Sequence, residues 1–170
     1  MSGEHRTIEL PSTLATPHHS APAHPHGLTT MDGPDPVLLG ELTLPAERAS
    51  VPRARAFGRA VLGSAGAAHV GDDAEVLISE LVTGAVRHAA GTGSLLCLRL
   101  LRDGSRLRIE VHDRGAALPH SRPVDLMEET GRGWFLVAAL AYRHGTDLTA
   151  SGKTVWCELD GWPHDERHAR

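Results

Sequence analysis

The sequence predicts an α+β two-layer sandwich, a mostly antiparallel sheet with helices on one face. Three observations carry this. Two helix-period segments come first, at residues 51–65 and 72–90. Two pairs of strand-like runs follow, each pair joined by a short polar turn. One apolar helix, opened by glycines, is inserted between the pairs, and nothing in the chain repeats.

Residues 1–37 are rich in Pro, His, Thr, Ser and Gly, as in TPHHSAPAHPHGLTTMDGPDP. Such a segment buries too little apolar surface to offset its ordering entropy, so it reads as a disordered tail. His18, His19, His24 and His26 could hold a metal ion, but no cysteine or carboxylate cluster completes a site. The preferred reading is a flexible tail with incidental metal affinity.

The globular domain is expected over residues 38–160. GELTLP suggests a short strand, and Ser50 is the candidate N-cap of a helix over VPRARAFGRAVLGSA, with Pro52 in its first turn. GAAHVGDD reads as a loop in which Asp72 or Asp73 caps the next helix, which runs to about Ala90 before GTGS breaks it. SLLCLRLLRD and RLRIEVHDR then form a hairpin around Asp103-Gly104-Ser105. After the loop GAALPHSRPVDLMEET, Gly131-Arg132-Gly133 opens the helix WFLVAALAYR. DLTAS and TVWCELD make a second hairpin around Ser151-Gly152-Lys153, and residues 161–170 form a charged tail.

A chain of 170 residues suits one ordinary domain. Its net charge of −4 excludes the basic footprint expected of a nucleic-acid binder. Cys97 and Cys157 each sit in an apolar run and read as buried free thiols of a reducing compartment. No stretch reaches the roughly 18 apolar residues of a membrane span, and the N-terminus has no hydrophobic centre of a signal peptide. The expectation is a soluble, cytoplasmic protein.

Chemistry concentrates in three segments. In ELVTGAVRHA the apolar positions Leu77, Ile78, Leu81, Val82, Ala85, Val86 and Ala89 follow helical spacing, while Glu80, Gly84 and His88 fall four apart along one edge. Gly84 costs about 1 kcal/mol relative to alanine inside a helix, so it is either a packing device or the place of a lost side chain. In HDRGA, Asp113 and Gly115 leave a strand and start a loop. In TGRGWF, glycines precede a helix whose N-terminus offers unpaired N–H groups and a positive dipole end to a phosphate.

The succession ELVTGAVRHA, LRIEVHDRG, ETGRGWFLVAALA and GKTVWCEL resembles the histidine-kinase-like ATPase domain of bacterial anti-sigma factors and switch-protein serine kinases, the Bergerat fold. The resemblance covers roughly residues 38–159. It implies that Glu80 is the catalytic acidic residue that activates the attacking hydroxyl or water. It implies that Asp113 accepts a hydrogen bond from the adenine amino group, that Gly115 lets the base lie against the backbone, and that Thr154 supports adenine recognition beside the aspartate. Gly131, Arg132 and Gly133 match the second glycine box, whose N–H groups meet the phosphates. Arg87 and His88 match positions that are basic or polar in the family.

Two departures stand out. The family carries asparagine where this chain has Gly84, and that amide oxygen coordinates the magnesium ion bridging the phosphates. Ala117 stands where the first glycine box often has another glycine. The resemblance therefore implies an ATP- or ADP-binding regulatory protein with weakened Mg2+ coordination, working on a sigma factor or anti-sigma antagonist, often as a homodimer. Whether it still acts as a serine/threonine-protein kinase in transcription regulation is left open by Gly84. The alternative is a non-catalytic interaction module of the same fold that binds a partner without phosphoryl transfer.

Overall fold

The structure, a computed structural model, describes residues 6–8, 34–89, 91–113 and 131–164, with side chains described at 34–89, 91–113 and 135–164. The strands are β1 (Arg6–Ile8), β2 (Val37–Pro45), β3 (Leu95–Asp103), β4 (Arg106–Asp113), β5 (Arg143–Thr149) and β6 (Gly152–Asp160). The helices are α1 (Ser50–Ser64), α2 (Gly71–His88) and α3 (Gly131–Leu140), with a short 3-10 turn at Ala68–Val70. The strands form one antiparallel sheet in the order β1-β5-β6-β4-β3-β2. With helices packed on one face, this is the expected two-layer α+β sandwich.

Alternation along the strands decides which side chains meet the helices. Leu96, Leu98 and Leu100 of β3, Leu107, Ile109 and Val111 of β4, and Val155, Cys157 and Leu159 of β6 all point to one face. They pack against Ala74, Leu77, Ile78, Leu81, Val82 and Ala85, the apolar stripe of α2. α1 crosses α2 closely at Gly58, where any Cβ would run into Cδ1 of Ile78. The hairpin between β3 and β4 turns through Gly104 and Ser105, with Gly104 at φ 60° in the left-handed region.

Several local expectations shift. Ser50 does not cap α1 but lies inside its first turn; its hydroxyl donates to the Pro45 carbonyl at 2.6 Å and ties the helix start back to β2. Asp72 and Asp73 sit in the first turn of α2, where they favour the positive end of the dipole, and Val70 holds the cap position. The β5–β6 link is Ala150-Ser151, so Gly152 and Lys153 belong to the strand.

The domain also reaches past both expected boundaries. Arg6–Ile8 pair with Thr146–Leu148 of β5, within the segment read as a disordered tail. At the other end, Trp162 is buried in the core and its indole N–H donates to the Ala65 carbonyl at 3.0 Å. Both backbone N–H groups of Gly161 and Trp162 donate to the Ser105 carbonyl, which closes the end of the sheet over the first hairpin.

Candidate functional site

α2 carries the first part of the site because its apolar stripe leaves one edge uncovered. Glu80, Gly84 and His88 are half-buried on that edge. A Cβ placed on Gly84 meets no described atom within 4 Å. The contrast with Gly58 is plain: no described neighbour requires Gly84 to be a glycine. Glu80 lines an open groove of about 450 Å³ between α1, α2 and α3, together with Arg55, Glu75, Ser79 and Leu136. Asp113 and Thr154 do not line it.

The second part lies at the end of β4. Asp113 follows Leu107, Ile109 and Val111 in the inward-facing set, and its cross-strand partner on β6 is Lys153. Lys153 is 8% exposed, and burial lowers its pKa, with the Asp113 charge opposing that shift.

Thr154 falls on the other face. Its Oγ1 lies 2.8 Å from Nδ1 of His112, and Nε2 of His112 lies 2.9 Å from Glu110. With a proton on Nε2 and none on Nδ1, the ring accepts from Thr154 and donates to Glu110 at once. Thr154 therefore does not stand beside Asp113, as the resemblance implied. The residue in that place is Lys153, which sequence reasoning passed over. The signal was present: Val155, Cys157 and Leu159 alternate inward, and the same parity places Lys153 with them.

The outer face of the sheet is a built polar layer. Glu158, 1% exposed, accepts from Arg108 at 3.0 Å and from Arg143 at 3.0 and 3.1 Å. Arg108 also donates to Glu110 at 2.7 Å and lies 4.1 Å from the centre of a Trp156 ring. Burial alone would raise the Glu110 carboxyl, but hydrogen bonds from His112 and Arg108 and the Arg108 charge override it and hold it at about 2. Cys157, on the core side, is pushed up to about 12 by burial and is an inert thiol; Cys97 is likewise buried and in no disulfide among the described residues.

The third part is the start of α3. Gly131, Arg132 and Gly133 form its first turn, and the helix packs against α2 and β5. Gly115 and Ala117 lie outside the described residues. Among the described residues, no three His, Cys, Asp or Glu side chains gather into a metal site, and no helix is long and apolar enough to cross a membrane.

The domain is thus an antiparallel sheet under three helices, with Glu80 on a helix edge, Asp113 at a strand end and glycines opening α3. Residues 44–158 match the histidine kinase-like ATPase domain, and the chain belongs to that family. No curated protein matches the chain.

Proposed function

We propose that the chain binds an adenine nucleotide at the end of β4 and acts as a regulatory protein of the anti-sigma or serine-protein kinase type. The observation that carries this reading is Asp113, an inward-facing carboxylate at a strand end of a histidine kinase-like ATPase domain. A carboxylate there accepts from an exocyclic amino group, and a site built on such a bond rejects bases that lack it. The first turn of α3 supplies backbone N–H groups for phosphates, and Glu80 is the candidate base for an attacking hydroxyl or water.

Magnesium fits this donor set poorly. Mg2+ takes oxygen ligands in near-octahedral geometry, and Gly84 puts no side-chain oxygen on the edge it shares with Glu80. Nucleotide binding through the base and the glycine box therefore stands largely without the ion, and phosphoryl transfer is slow or absent. The same observation favours the second reading, a partner-binding module of this fold without turnover. Phe135 and Leu136, both exposed on α3, offer apolar surface to a partner beside the Glu80 groove.

Calorimetry with ATP and ADP, each with and without Mg2+, tests the proposal. Adenine-nucleotide binding that changes little on adding Mg2+ is expected. No binding in any arm would overturn it. Binding without release of γ-phosphate selects the interaction module.

A further inference from the structure

Asp113 and Lys153 are direct cross-strand partners, so their side chains leave the sheet together on the helix-facing side. Lys153 is 8% exposed, and the Asp113 charge acts on it across the strand pair. The two therefore present a carboxylate acceptor and an Nζ–H donor side by side. Nζ donates in either protonation state, so its role does not depend on the depressed pKa of a buried lysine.

We infer that Lys153 is a second base-recognition residue, reading adenine N1 while Asp113 accepts from the N6 amino group. This rests on the nucleotide reading above. Adenine carries a donor, N6–H, next to an acceptor, N1, and this order matches the carboxylate and the amine. Guanine seated the same way presents O6 to the carboxylate and N1–H to the amine, so both contacts become repulsive. Thr154 cannot take this place, because it is turned to the outer face and bonded to His112.

The test uses the full chain with ATP, GTP and 1-deaza-ATP, whose N1 is replaced by C–H, read by calorimetry. Hydrogen bonds involving charged groups translate to roughly tenfold to a hundredfold in affinity. Wild type should prefer ATP over 1-deaza-ATP by that margin and reject GTP. Lys153→Met should bind ATP and 1-deaza-ATP alike, and Lys153→Gln, which keeps an N–H donor, should restore part of the preference. Equal binding of ATP and 1-deaza-ATP by wild type would overturn the inference with no variant needed. So would full discrimination by a folded Lys153→Met, or GTP binding as tight as ATP. Failure of every nucleotide to bind would overturn the adenine-nucleotide reading itself, whereas ATP binding without N1 discrimination removes only the role of Lys153.

Discussion

Gly84 offers a perturbation whose size follows from its surroundings. It occupies the interior of α2, between Val82 and Val86, and a Cβ there meets no described atom within 4 Å. Gly84→Ala should therefore recover the helix-propensity difference of about 1 kcal/mol without a steric cost. In a chain of this size that raises the melting temperature by about 2–4 °C. Gly84→Asn should recover only a few tenths of a kcal/mol, because asparagine is a poor helix former. It also places an amide oxygen one turn from Glu80, where it can reach a phosphate-bound ion. The two variants together separate propensity from ligation. Urea or thermal melts read the stability, and ATP titrations with and without Mg2+ read the ligation. Alanine alone should stabilise measurably, and asparagine alone should make ATP binding depend on Mg2+. A Gly84→Ala variant less stable than wild type would show that the space above Gly84 is filled and would refute the vacated-ligand argument.

The outer polar layer and the core thiol give further outcomes. Glu110 has a folded-state pKa lowered from 4.5 to about 2, so its contribution is present above 4.5 and is lost as pH falls toward 2. That gap corresponds to roughly 3 kcal/mol, and Glu110→Gln should flatten acid unfolding over this range in pH-dependent urea melts. Glu158→Ala leaves Arg108 and Arg143 facing an empty buried position and should cost about 3 kcal/mol or more, while Arg143→Ala, at a half-exposed arginine, should cost clearly less in the same melts. Cys157 should resist alkylation by iodoacetamide in the native state and react only on unfolding, as mass spectrometry of the labelled protein would show.

The elements with strong periodicity were legible in the sequence. Of the expected α2 stripe Leu77, Ile78, Leu81, Val82 and Ala85 are buried and Val86 and Ala89 half-buried, and Asp103-Gly104-Ser105 marks the β3–β4 turn. The side of the site was harder to read. In a strand, one residue decides the face, and with Lys153 read as part of a turn around Ser151-Gly152-Lys153 the alternation of Val155, Cys157 and Leu159 was not extended back to it. Pairing with β4 sets it: Lys153 joins Asp113 inside, and Thr154 joins His112 outside. The outer network was written in RLRIEVHD, whose Arg106, Arg108, Glu110 and His112 alternate with core residues, but its partners on β5 and β6 become visible only with the register. Arg6–Ile8 and Trp162 were missed because three residues in a polar segment and one tryptophan in a charged tail carry no periodic signal.

The central claim is that Asp113 reads the adenine base, and Asp113→Asn tests it most directly by calorimetry with ATP. An amide can turn its N–H toward the adenine amino group and loses the charge-assisted acceptor, so affinity should fall at least tenfold while the melt stays near wild type. A folded Asp113→Asn protein that binds ATP as tightly as wild type would contradict the account.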